Sequence, residues 1–262
     1  MRSVRFSDGP DNVRDMADLI DIQTPDGTAE AYLAQPEGES KGGVLFFMDA
    51  IGLRPRIAEM ADRIASWGYT VLAPNVFYRD GSMEELRPKG DLRIAEEREK
   101  FFATSGVGQH MQNLTPERAA VDTEAYVATL EKYVGSAKLG ATGYCMGARL
   151  AIRAGGQFPG KIVAVGGFHG GGLVTDDPDS PHTKVNGQVE YVFGHADNDS
   201  SMTPENAAAL DAALESVGAT YQSAIYPGAP HGYSMSDTSM WHEPSAERHF
   251  EELKALFART LG

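Results

Sequence analysis

Residues 138–157 read KLGATGYCMGARLAIRAGGQ. Ala137–Ala141 has the character of a strand, and Met146–Gln157 carries apolar residues at helical spacing. The segment between them, Gly143-Tyr144-Cys145-Met146-Gly147, therefore falls where a strand turns sharply into a helix. Such a turn needs small residues two places before and after its apex, and Gly143 and Gly147 supply them. At the apex Cys145 stands above the sheet edge and at a helix N-terminus, where the backbone dipole favours a thiolate. A glycine-bracketed triplet is common, and a lone cysteine is most often a buried apolar filler. The junction is what raises a nucleophile above that reading.

Outward from this segment the chain alternates. Asp18–Thr24 and Thr28–Gln35 are short alternating runs joined by Asp26-Gly27, a hairpin signal. Gly42–Asp49 is a continuous apolar run, as expected of a strand covered on both faces. Arg56–Trp67 follows with helical periodicity and stops at Gly68, and Tyr69–Ala73 is again strand-like. Beyond the cysteine, Ile162–Val165, Val189–Phe193 and Thr220–Tyr226 read as strands, while Pro204–Val217 and Ser245–Leu261 read as helices. The pattern predicts one α/β domain over residues 18–262, preceded by an extension over residues 1–17. Its architecture is a mostly parallel sheet with helices on both faces, led by an antiparallel hairpin. Asp80–Gln112 breaks the alternation. It is charge-rich, with Met83–Leu86 and Arg93–Phe102 helical and Gly106–Gln109 a loop, and it either shapes a pocket or is a solvated linker. The Glu96–Lys100 run reads most simply as a solvated helix face. Thr115 and Pro116 open a helix to Val134.

Composition narrows the function. The net charge is −14, from 23 Lys+Arg against 37 Asp+Glu, which disfavours nucleic acid or an anionic membrane as partner. One cysteine excludes an internal disulfide framework and a multi-cysteine metal centre. No secretory signal precedes Asp15 and no apolar run reaches membrane-spanning length, so a cytoplasmic location is expected.

Two further loops complete a chemistry. After the strand at Val189–Phe193 comes Gly194-His195-Ala196-Asp197-Asn198-Asp199, and after that at Thr220–Tyr226 comes Pro227-Gly228-Ala229-Pro230-His231-Gly232. Nucleophile, acid and histidine thus follow in the chain order of a strand-to-helix elbow hydrolase, each at the carboxyl end of a strand. His231 would take the thiol proton, and Asp197 would hold its other nitrogen, with Asp199 as competitor. His195, Asp197 and Asp199 could instead ligate a metal, but no second histidine cluster supports that. His169 sits in a glycine-rich turn that can reach the pocket, and Tyr233, Trp241 and His242 could wall it.

At this point the chain resembles the dienelactone hydrolase family, the cysteine-nucleophile branch of the α/β-hydrolases. The landmarks are Met48-Asp49-Ala50-Ile51-Gly52, Pro74–Arg79, Gly143–Gly147, Phe168-His169-Gly170-Gly171, Gly194–Asp197 and Ala229–Gly232. The resemblance implies a triad of Cys145, Asp197 and His231, and an oxyanion hole from the N–H groups of Met146 and Ala50. It places Arg79 on a substrate anion and Asp49 where the family carries a glutamate that meets the thiol. Gly232 and Met235 stand where the family has serine and arginine. The implied activity is cleavage of an ester or a lactone, dienelactone-like and able to be anionic, through a thioester. No cofactor or metal is implied, and the chain would work as monomer or homodimer. A broader carboxylesterase or thioesterase, and a non-catalytic ligand-binding relative, are the alternatives.

Overall fold

The computed structural model describes residues 17–262, so the expected extension over residues 1–17 lies, but for its last residue, outside the described part. Two antiparallel strands, β1 (Ala17–Thr24) and β2 (Gly27–Ala34), open the fold. Their register closes at Thr24 opposite Gly27, so the turn is Pro25-Asp26, one residue earlier than the sequence signal. Gly27 begins β2 at φ +144°, a backbone conformation that favours glycine.

The rest is a crossover pattern. The strands β3 (Gly43–Phe47), β4 (Thr70–Pro74), β5 (Leu139–Tyr144), β6 (Ile162–Phe168), β7 (Glu190–His195) and β8 (Tyr221–Ile225) join the hairpin in one eight-stranded sheet. Its order is β1-β2-β4-β3-β5-β6-β7-β8. The pairs β1/β2 and β2/β4 are antiparallel and all later pairs parallel. Every residue of β3, β4 and β5 is buried, which explains why these strands read as unbroken apolar or small-residue runs.

Consecutive residues of β6 reveal the two helical layers. Gly166 faces Leu253 of α8 (Glu243–Thr260), and Gly167 faces Ala148 of α6 (Met146–Gln157). The α8 layer also holds α1 (Pro55–Ala65), tied by the Arg63–Glu247 ion pair at 2.5 Å. The α6 layer holds α5 (Pro116–Val134), where the Gln157 amide donates to the Ala120 carbonyl at 3.0 Å. Thr115 caps α5 as its sequence suggests. The remaining long helix is α7 (Pro204–Ser216), between β7 and β8.

Between β4 and α5 lie α2 (Met83–Leu86), α3 (Ala95–Thr104) and α4 (Val107–Asn113). The α4 turn was expected to be loop. It forms because Gly106 adopts φ +78° and lets the chain restart a helix at once after α3. Its sequence, VGQHMQN, carries too little apolar periodicity to announce itself. α3 buries none of its residues. No helix among the described residues is long and apolar enough to cross a membrane.

Candidate active site

The turn between β5 and α6 is held open by what its glycines lack. A Cβ on Gly143 would stand 2.0 Å from the Gly147 carbonyl oxygen, and one on Gly147 would stand 2.3 Å from that of Phe47 in β3. Cys145 itself sits at φ 55°, ψ −118°, a backbone state that side-chain-bearing residues rarely adopt. Its N–H donates to the Phe168 carbonyl at 3.1 Å, which pins the apex to β6. Met146, the first residue of α6, and Ala50, in the turn after β3, make no backbone hydrogen bond through their N–H groups among the described residues. Both are buried beside the cysteine. The other two non-glycine residues with positive φ, His169 and Asn198, lie on neighbouring loops at the same carboxyl edge of the sheet.

His231 reaches this edge from the loop after β8. Its Nδ1–H donates to Oδ2 of Asp199 at 2.6 Å, and the ring shares a pocket with Cys145 and interacts with it. The carboxylate that meets His231 is therefore Asp199, and Asp197, expected there, is placed elsewhere. Asp197 clips the two loops together instead, its N–H donating to the Ala229 carbonyl at 2.7 Å and its carboxylate accepting from Gly228 N–H at 2.8 Å. The left-handed turn at Asn198 then swings Asp199 toward the imidazole. Asp199 Oδ1 accepts from the N–H and hydroxyl of Ser201, so the carboxylate is fixed on both oxygens. The Asp-x-Ser spacing was the sequence signal for this, since such side chains accept from the backbone two residues on.

The electrostatics follow from that geometry. Burial works against the imidazolium of His231, but the hydrogen bond to Asp199 and the nearness of Cys145 outweigh it, raising the pKa to about 10. Burial likewise opposes the Asp199 charge, and the bonds from His231 and Ser201 overcome it, lowering that pKa to about 2. His169 packs edge-on against His231, 5.4 Å between ring centroids, with Nε2 hydrogen-bonded to the Ser234 hydroxyl at 2.7 Å. Burial, and then repulsion from His231 and His249, hold its pKa well below 6.5, so one imidazolium and one neutral ring share the site.

Around Cys145 and His231 lies a narrow pocket of about 30 Å³. Its walls include His169, Ile51, Met235, Thr238 and Met240, rather than Tyr233, Trp241 or His242. Two residues come from α3, Arg98 and Phe102. The Asp80–Gln112 excursion thus shapes the pocket. Ile94, Arg98 and Phe102 recur every four residues, and Ile94 and Phe102 remain exposed; that stripe within a charged run was the available signal. His195 points into the core toward the Ser223 hydroxyl at 3.2 Å, and no group of three or more metal-ligating side chains occurs among the described residues.

Residues 29–261 match the dienelactone hydrolase family. The chain belongs to this family. It is a hydrolase of ester or lactone bonds. A Synechocystis protein provisionally named a carboxymethylenebutenolidase is 25% identical over 252 residues, spanning 93% of this chain and 96% of its own. Hydrolase tropI of Talaromyces stipitatus is 26% identical over 79% of this chain and 76% of its own. Among solved structures, one from Klebsiella pneumoniae provisionally named a dienelactone hydrolase superposes with a TM-score of 0.74 at 20% identity. It covers 93% of this chain and 98% of that one, and shows the shared fold.

Two residues carried over from the dienelactone hydrolases are each held in an ion pair here. Arg79 does not line the pocket. It is locked by Asp122, whose oxygens accept from both its terminal nitrogens at 2.6 and 2.9 Å, and by Asp26 at 2.8 Å. Burial works against its charge, but these acids raise its pKa above the ordinary value. Asp49 lines the pocket, yet both its oxygens accept from Arg54, at 2.6 and 3.0 Å. Arg54 is 3% exposed and also bonds Asp237, so it fastens the turn that carries Ala50 to the loop that carries His231. Asp49 is a positioning group for that turn, since Ile51 N–H also donates to it at 3.1 Å. Gly232, where the family pattern has serine, adopts φ +91°, a backbone that favours glycine.

Proposed function

We propose that Cys145, His231 and Asp199 form a catalytic triad that opens an ester or lactone through a thioester. The supporting observation is the 2.6 Å Asp199–His231 bond beside a cysteine held on a strained, glycine-bracketed turn. Sγ attacks the carbonyl carbon while its proton resides on the imidazole, and the carbonyl oxygen becomes an oxyanion. The N–H groups of Met146 and Ala50 receive that charge, at about 2.7–4 kcal/mol per donor in comparable enzymes. Collapse breaks the carbon–oxygen bond, and the leaving alkoxide takes the proton from His231 Nε2. His231 then removes a proton from water, which attacks the thioester and releases the carboxylic acid and the thiol. Asp199 keeps the ring in the tautomer both steps need.

The test is an ester and lactone panel on the wild type beside Cys145→Ala, with intact-mass detection of an acyl adduct. The variant should lose about a thousandfold or more in kcat and show no adduct. Equal activity in the two proteins sinks the triad. A carboxylesterase of broader range would use the same residues, and the locked state of Arg79 favours keeping neutral esters in the panel.

A further inference from the structure

Arg98 is the one pocket-lining residue with a positive charge besides the triad imidazole, and among the described residues it makes no ion pair. The reason is visible in α3. Its neighbours three and four places away are Ala95, Phe101, Ile94 and Phe102, so no carboxylate of its own helix can reach it. Its other contact is the Phe102 ring, 5.0 Å from the guanidinium carbon. Other arginines of this region are partnered: Arg54 with Asp49 and Asp237, Arg79 with Asp26 and Asp122, Arg87 with Glu84, Arg93 with Asp91. Asp49, the acid in the pocket wall, is neutralised by Arg54. The remaining walls carry no charge: Ala50, Ile51, Phe102, Met235 and Met240 are apolar, Thr238 is neutral, and burial keeps His169 neutral. A half-buried, unneutralised arginine therefore lines the same pocket as Cys145 in a protein of net charge −14.

We propose that Arg98 is the specificity-determining residue of this pocket, holding a carboxylate carried by the substrate while Sγ attacks its ester or lactone carbonyl. The substrate role rests on the hydrolase reading above; the anion-selecting role does not. Arg98 does this from α3, an element that buries no residue of its own, so selection lies on the outer wall of the pocket, away from Arg79.

Iodoacetate and iodoacetamide test this on the intact protein. Each alkylates a cysteine with loss of iodide, they are nearly equal in size, and they differ in charge. Cys145 is the only cysteine in the chain, so the adduct has one address. The ratio of the iodoacetate to the iodoacetamide rate should fall about fivefold in Arg98→Gln, the effect of one unit charge at contact distance in water. Arg98→Lys should recover most of it. Lys100→Gln removes the same charge from an exposed position on the same helix and should leave the ratio unchanged. An unchanged ratio in Arg98→Gln, an equal fall in Lys100→Gln, or a Cys145 that neither reagent reaches overturns the proposal. In parallel, Arg98→Gln should raise KM for a carboxylate-bearing aryl ester and leave KM for its neutral analogue alone. If the wild type cleaves neither ester, the hydrolase reading of this pocket fails, and the alkylation ratio still decides the role of Arg98.

Discussion

Two aspartates two residues apart divide the work of the loop after β7. Asp199 orients His231, whereas Asp197 joins that loop to the one after β8. Asp199→Asn should cost about a hundred- to ten-thousandfold in kcat, because the amide can stabilise the wrong imidazole tautomer. Asp197→Asn keeps an oxygen for the Gly228 N–H and should cost less than about tenfold. The reverse ranking in steady-state rates would return the acid to Asp197. The ion pair also sets a pH window. His231 is raised from 6.5 to about 10, so its contribution to stability is full below 6.5 and is lost as pH rises through 10. Asp199 is lowered from 3.8 to about 2, so its contribution is present above 3.8 and is lost as pH falls through 2. The stability gap between wild type and Asp199→Asn should thus be largest between about pH 4 and 6.5 and shrink toward pH 10. Urea titrations giving a gap that widens from pH 7 to 10 would contradict the assigned pair. The cysteine and histidine were legible because each follows a strand and sits among glycines. The choice of aspartate was not, since it depends on the left-handed turn at Asn198, and the residue type alone permits that turn without requiring it.

Among the elements, the central strands were the most legible, because burial on both faces forces an apolar or small-residue run of strand length. β3 and β4 show this directly, each buried throughout. What sequence did not disclose was which elements would be bolted together across the carboxyl edge. Arg54 is the main bolt, four residues beyond Ala50 and 183 residues from Asp237 in sequence. Burial opposes its charge, while Asp49 and Asp237 raise its pKa above the ordinary value. Arg54→Met would leave Asp49 as a buried carboxylate without its partner, and should destabilise the fold by about 3–5 kcal/mol. Double replacement, Arg54→Met with Asp49→Asn, should recover part of that loss. Chemical denaturation of the two variants checks both statements, and additivity of the two changes would show that they do not act as a pair. The elbow is held by shape instead of charge. Gly147→Ala has no room between α6 and the Phe47 carbonyl, so it should cost at least about 1–3 kcal/mol and displace Cys145 from His231.

At the scale of the whole molecule, the fold gathers its candidate chemistry on one edge while the chain as a whole carries a net charge of −14. The net charge of −14 was readable at once, but where a cation would stand free of acids was not. Arg79 looked available until Asp26 and Asp122, distant in sequence, were brought against it. Arg98 looked solvated until α3 was laid across the pocket. Two fields of opposite sign then act on an anionic reactant. The surface repels it over tens of ångströms at low salt, and Arg98 attracts it at contact. Salt separates them, because the Debye length shrinks from about 30 Å at 0.01 M to about 8 Å at 0.15 M, while a partly buried contact is screened far less. Raising salt across that range should therefore speed alkylation of Cys145 by iodoacetate and leave iodoacetamide unchanged. Arg98→Gln should show the same relative increase from a lower starting rate, since it removes the contact and leaves the surface field in place. Should salt instead slow iodoacetate in the wild type, the local positive potential reaches beyond the pocket, and the acidic surface does not govern the approach of the reactant.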